Sequence, residues 1–203
     1  MHLALLGGTG RTGVHLVRRA LDAGHTVRAL ARDPKKLGLS HERLTVITGD
    51  AGTPADLARL VEGTDALVSA LGPVKGLEDI CSRATKAALA AGVRRSVITS
   101  GAGLDVPGDQ KDLPGRIISK LIRFVSPAIV ADKEKELALL QGSSCEWTLV
   151  RPPRLIDGPA TGKYRVDVKN GPGSKLVRAD LAEFLLVCAT EKRHVREAPF
   201  IAN

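Results

Sequence analysis

The chain has 203 residues, 43% hydrophobic, 26% charged and only 2% aromatic, which suits a globular α/β-sized unit with an aliphatic core. A net charge of +8 points to anionic partners, but the cations are dispersed and aromatics for base stacking are scarce, so a phosphorylated small ligand is expected and nucleic acid is not. Three separated cysteines and five scattered histidines offer no Cys-x-x-Cys pair or metal-ligand spacing, so neither a metal nor a disulfide framework is expected.

Residues 3–6 form a short apolar run ending in glycine, the pattern of a buried parallel strand. From 11 to 23 apolar residues recur at helical spacing, and Gly24 closes the helix. Strands are expected at 26–31, 43–48, 65–71 and 96–100, with helices over 53–61 and 77–91 between them. Residues 101–115, with four glycines and two prolines, read as a loop. Helices at 117–124 and 132–140 separated at Pro127, a strand at 147–151, an edge strand at 164–168, a helix at 178–190 and a short strand at 199–202 complete the chain. Alternating strand and helix imply one Rossmann-type domain over 1–203: a doubly wound parallel sheet with helices on both faces, its order reversing between the first and fourth strands. The first residues lack the basic start and long apolar stretch of a signal peptide, and no run approaches the roughly 18 residues of a spanning helix. A cytoplasmic monomer or weak homodimer without a membrane partner is therefore expected.

The stretch Gly7-Gly8-Thr9-Gly10-Arg11-Thr12-Gly13 follows the first strand and opens the first helix. Gly7, Gly10 and Gly13 let the backbone turn tightly and approach a pyrophosphate at the helix N-terminus; Thr9 and Thr12 add hydroxyls and Arg11 a charge. Arg32 ends the second strand, and its planar fork, reinforced by Lys35 and Lys36, suits the 2′-phosphate of NADP(H); Asp33 is the competing signal, able to take a ribose 2′-OH. Asp50, before Ala51 at the end of the third strand, is placed to accept from an adenine amino group or to cap the next segment. Leu71 and Gly72 end the fourth strand, where a glycine admits a cofactor or makes an ordinary turn. Ser100, ending the fifth strand, is placed to hydrogen-bond cofactor or substrate, or else to make a turn. Asp132, Lys133 and Lys135 read as a solvated helix face, and Cys188 as core. The Lys111, Arg116, Lys120, Arg123 stripe opposes Ile117, Ile118, Leu121 and Phe124; it reads as the outer face of a lid-like helix, with a membrane-surface helix as the second reading.

The glycine stretch, Ala31-Arg32-Asp33, Gly49-Asp50, Thr99-Ser100 and Trp147-Thr148-Leu149-Val150-Arg151-Pro152-Pro153 together resemble the atypical short-chain dehydrogenase/reductases. Residues 155–164, with Leu155-Ile156-Asp157 and Thr161-Gly162-Lys163-Tyr164, are similar to the biliverdin-IXβ reductase/flavin reductase branch and its NmrA-like relatives. The resemblance implies a Rossmann fold, NADP(H), and reduction of a planar conjugated acceptor: a flavin, a quinone or a linear tetrapyrrole. The larger family's Tyr-x-x-x-Lys acid/base pair is not visible, Tyr164 being the only tyrosine. Arg154 stands where the named reductases carry a histidine. An arginine holds its proton, so Arg154 is expected to clamp an anionic acceptor or a cofactor phosphate, and Pro153 borders the same cofactor site. The expected catalytic residues are Ser100 and Arg154. The other reading is an NmrA-like redox sensor that binds NADP(H) without turnover.

Overall fold

The protein is described by a computed structural model over residues 1–74 and 76–203. The short apolar runs of the first half become β1 (His2–Leu6), β2 (Thr26–Ala31), β3 (Leu44–Thr48), β4 (Ala66–Ser69) and β5 (Arg95–Thr99). Between them lie α1 (Arg11–Asp22), α2 (Pro54–Val61) and α3 (Ile80–Ala90). With β6 (Glu146–Val150) they form a six-stranded parallel sheet in the order β3-β2-β1-β4-β5-β6, so the winding reverses between β1 and β4 as expected.

Strand side chains alternate between two apolar layers, the signature of a sheet covered on both sides. Leu3, Leu5, Val68 and Val97 meet α1 and α6 (Arg178–Thr190), where Leu16, Val17, Leu181 and Cys188 are buried. Ala4, Leu6 and Leu67 meet α2 and α3. Ile98 and Leu149 meet α5 (Pro127–Gln141) through Leu137 and Leu140.

The second half departs from expectation in four places. The helix expected at 117–124 is α4 (Leu113–Val125), starting inside the stretch read as loop. Asp112 caps it by accepting from Gly115 N at 2.8 Å, and Pro114 sits in the first turn, where its missing N–H costs nothing. α5 likewise starts at Pro127, so that proline opens the helix. Two short strands, β7 (Arg154–Ile156) and β9 (Lys175–Val177), form a parallel pair that the double proline had concealed. The expected edge strand is β8 (Arg165–Asp167), which pairs antiparallel with β10 (Phe200–Ala202) outside the main sheet.

Polar side chains hold this irregular half. Arg151, just past β6, is 1% exposed and grips Asp109 with both terminal nitrogens, at 2.7 and 2.8 Å. It also donates to the carbonyls of Ala198, Leu104 and Val168 and lies 3.6 Å from the Phe200 ring centroid. Asp180, fully buried at the start of α6, accepts from Thr161 N, Thr161 Oγ1 and Gly162 N, and from Asn203 Nδ2, 23 positions on. Asp157 binds Arg178 at 2.9 Å. Removing one partner of a buried pair leaves the other charge uncompensated. Arg151→Met is therefore expected to cost about 3–5 kcal/mol. That loss corresponds to a melting temperature lower by on the order of 10 °C for a chain of this size. Calorimetry of Arg151→Met beside Arg151→Met/Asp109→Leu checks it: the double variant should recover part of the loss, and an unchanged melt for the single variant would refute the role.

Candidate functional site

The carboxyl ends of the parallel strands share one edge of the sheet, and the loops there build two hollows. At the first, β1 turns into α1 through Gly7, which has φ +74°. A side-chain carbon at Gly13 would fall 2.0 Å from Gly7 O, so the helix can sit this close to the strand end only with glycine there. Gly10 is the N-cap, in extended backbone without a side-chain cap, and the first turn of α1 holds no acidic residue. The positive end of α1 is thus left without an anionic side chain of its own. Thr9 is exposed beside it, and Thr12 is buried. Arg11, exposed, pairs with Asp157 at 3.7 Å.

This hollow, about 90 Å³, is lined by Gly7, Thr9, Arg32, Asp50, Ala51 and Leu71 among others, so these residues from four strand ends do come together. Arg32 is exposed. Asp33 Oδ1 accepts from Lys35 N at 3.1 Å and caps the turn Pro34–Leu37, so the competing acid is committed locally. Lys35 and Lys36 lie exposed on that turn, outside the hollow's lining. Asp50 Oδ1 accepts from Gly52 N at 2.7 Å, while Asp50 N donates to Asp56, a positioning contact the sequence reading missed. Gly72 has open space where a side chain would stand.

The second hollow is a cleft of about 840 Å³ past the ends of β5 and β6. Ser100, Pro153 and Arg154 line it, as do Pro73, Ile129 and Phe200. Ser100 N donates to Val150 O at 2.7 Å, but Ser100 Oγ and Thr99 Oγ1 are buried without a hydrogen-bond partner among the described residues. Arg154 is exposed at the cleft, with no ion pair among the described residues.

Two readings of charged residues are corrected. Asp132 and Lys133 are buried, and only Lys135 of that trio is solvated. Asp132 accepts from Cys81 N and Ser82 N, capping α3 from a neighbouring helix, because Asp79 at the N-cap itself does not. Lys133 Nζ, in the cleft wall, donates to Thr99 O at 3.1 Å and to Glu136 at 2.8 Å. Burial alone would lower its pKa, but the Glu136 carboxylate and the Cys81 sulfur beside it hold it above the ordinary lysine value. Lys111 is buried too, bonded to Ala102 O, Leu104 O, Asp105 and Ser119, and the side of α4 that points out is the apolar one with Ile117, Leu121 and Phe124, so the cation stripe is not the helix's outer face as expected. Burial pushes the Cys81 thiol up to about 11 and Cys188 to about 12, so neither is a thiolate at neutral pH. Tyr164 packs edge-on against Phe184, ring centroids 5.7 Å apart, and does not line the cleft.

Known proteins agree with this geometry. A family model described as NAD(P)H-binding matches residues 7–192. A (4-alkanoyl-5-oxo-2,5-dihydrofuran-3-yl)methyl phosphate reductase of Streptomyces griseus is 32% identical over 150 residues, 74% of this chain and 46% of that protein. The chain spans less than half the length of the first curated relatives it matches. Among solved structures, an anaerobillin reductase of Escherichia coli O157:H7 superposes with a TM-score of 0.83 at 20% identity, over 100% of this chain and 97% of that one. A Streptococcus pneumoniae chain provisionally named an NADH-flavin reductase gives 0.76 at 22%, over 100% and 99%. No helix among the described residues is long and apolar enough to cross a membrane. With a glycine turn feeding an uncapped helix at the reversal point of a six-stranded parallel sheet, and a match over nearly its whole length, this chain belongs to the NAD(P)H-binding family of atypical short-chain dehydrogenase/reductases.

Proposed function

We propose that residues 1–203 form one NADPH-dependent reductase domain that passes hydride to a planar conjugated acceptor, a flavin, quinone or linear tetrapyrrole. The observation that carries this reading is the large, mainly apolar cleft at the same sheet edge as the glycine turn, lined by Ile129 and Val130 and by no tyrosine among the described residues, so the proton donor of alcohol chemistry is missing from it. The glycine turn fits a dinucleotide: the uncapped N-terminus of α1, the close Gly7–Gly13 approach and the open space at Gly72 leave room for a pyrophosphate against backbone N–H groups. Bound NADPH supplies a hydride, two electrons with one proton.

The chain's residues bind and orient. Gly7, Gly10 and Gly13 shape the phosphate seat, flanked by Thr9, Arg11 and Thr12. Arg32, with Lys35 and Lys36 behind it, offers the 2′-phosphate contact, and Asp50 and Ala51 border the adenine end. Leu71, Gly72 and Pro153 flank the bound cofactor. Ser100, whose hydroxyl lacks a partner among the described residues, donates to cofactor or acceptor after a rotation about χ1. Arg154 clamps an acidic substituent of the acceptor or a cofactor phosphate. The acceptor's second proton comes from water: Lys133 holds its proton against Glu136, arginine does not release one, and Tyr164 is packed elsewhere. A small phosphate-bearing substrate, of the kind the Streptomyces relative's name describes, fits the same use of Arg154.

Three outcomes are expected. Gly10→Val should stay folded with a modestly lowered melt, since its added carbon presses on Gly7 O at 3.2 Å and valine caps a helix poorly, yet lose dinucleotide affinity by about tenfold or more as the backbone N–H contacts are blocked. Gly13→Val, by contrast, should fail in both melting and binding; unchanged affinity in Gly10→Val would remove the loop from the site. Arg32→Asp should weaken NADPH by about ten- to a hundredfold and NADH far less, because it replaces a cation facing a dianion by a repulsive charge. Equal losses would refute a 2′-phosphate contact. In steady-state oxidation of NADPH, followed by absorbance with FMN and with a neutral quinone, Ser100→Ala should lower turnover modestly. Arg154→Ala should raise KM for FMN alone, and Tyr164→Phe should change little. A general acid contributes about 10²–10⁴-fold, so a loss of that size in any variant on both acceptors would mean that a protein proton donor exists. Tight NADPH binding without oxidation by any acceptor would favour a redox-sensing binder instead.

A further inference from the structure

α4 is built unlike the other helices. Ser119 is its buried residue, tied to Lys111 Nζ at 2.8 Å, so the opposite side of the helix points straight out. That outward face is apolar. Ile117 and Leu121 are more than half exposed and Phe124 is 85% exposed, with Leu113 and Val125 beside them. Ile118 and Ile122, on the flank, line the cleft, so apolar surface runs without interruption from the outer face of α4 into the cleft. The helix carries three cations and no acid. Arg123 is taken up by Glu134 at 2.7 Å and Asp105 at 3.6 Å, but Arg116 and Lys120 stand exposed at the border of the apolar face, with no ion pair among the described residues.

An exposed apolar stripe bordered by cations has two natural covers, a second copy or an anionic lipid surface. The charges decide between them. Two copies of α4 apposed about a two-fold axis would bring Lys120 and Arg116 of each towards those of the other with no carboxylate on either helix, and the nearby acids Asp105 and Glu134 already face Arg123. Lipid phosphates supply the missing negative charge, and the acyl region receives Ile117, Leu121 and Phe124. We infer that α4 is a membrane-surface helix: it lies flat on an anionic bilayer, Phe124 and Leu121 inserted and Arg116 and Lys120 on headgroup phosphates, and it opens the cleft towards the lipid.

Flotation of the full chain with vesicles tests this. Vesicles of phosphatidylcholine mixed with phosphatidylglycerol should carry the protein, phosphatidylcholine alone should carry much less, and high salt should release it. Arg116→Ala and Lys120→Ala should each weaken binding about fivefold, the worth of one surface cation. Leu121→Glu and Phe124→Glu should abolish it; both positions are exposed and outside the cleft lining, so their melts and their dinucleotide binding should match the parent. Failure to float with the anionic vesicles, or flotation unaffected by Leu121→Glu, would overturn the inference. Sedimentation that shows a dimer dissociated by Leu121→Glu would assign the face to a second copy and overturn it equally. None of these readouts involves turnover, so they stand apart from the identity of the acceptor.

Discussion

The guanidinium of Arg151 organises the carboxyl end of the sheet. An aliphatic core can fix strands and helices, but it cannot fix loops whose carbonyls need donors. Arg151 has five N–H groups in a rigid plane, and here they meet a bidentate carboxylate and three backbone carbonyls from separate segments. Asp109 belongs to the loop before α4, Ala198 to the segment before β10, and Val168 to the segment just after β8. One side chain thus ties three walls around the cleft to the end of β6, and Phe200 closes over it as the aromatic face of a cation–π contact. The cost of burying the charge is offset because all five donors are used.

The same economy explains which parts of the fold were legible. The first hundred residues follow local rules: apolar runs of strand length, helical spacing from Val14 to Leu21, a glycine after α1 and a proline in the first turn of α2. These signals lie within a few residues of one another. The second half is specified by partners far apart in sequence. Arg151 meets Asp109 across 42 positions, Thr161 meets Asp180 across 19, and Arg95 reaches the Cys188 carbonyl across 93. No periodicity records such pairs, so β7 and β9 were hidden behind Pro152 and Pro153. The Thr161-Gly162-Lys163-Tyr164 stretch was recognisable only as a pattern, and its first two residues fold onto Asp180.

The site divides along the same line. Gly7, Thr9, Arg32, Asp50, Ala51 and Leu71 were legible because parallel strands place all their carboxyl ends on one edge. Asp132 and Lys133 were misread as solvent-facing because polar residues occur all round α5, leaving no side marked as buried. Their partners, the first N–H groups of α3 and the Thr99 carbonyl, lie 50 and 34 positions away. A carboxylate capping another element's helix is invisible to any rule that looks for caps in the preceding residues.

This buried polar seam between α3 and α5 bears on the chemistry. Lys133 stands in the cleft wall, a place from which a free lysine serves as acid or as an activator of a neighbouring hydroxyl. Its surroundings withhold both roles. Glu136, itself anchored by Thr85 Oγ1 at 2.9 Å, keeps the ammonium charged, and one turn before it on the cleft side stands Ile129, which has no hydroxyl to activate. The charge still shapes the site by its field. It lies at the end of β5, bonded to the carbonyl of Thr99, and so polarises the strand end that carries Ser100. In the reaction proposed above, the ammonium end of the Lys133–Glu136 pair would favour an acceptor that gains electrons without first needing a proton, as fixed dipoles aimed at developing charge do. An alcohol or ketone needs a proton delivered to one oxygen, and among the described residues of this wall only the Ser100 hydroxyl is buried without a partner, with no tyrosine beside it to act as the acid. In the reaction proposed above, conjugation in the acceptor would take over the task that a tyrosine performs elsewhere.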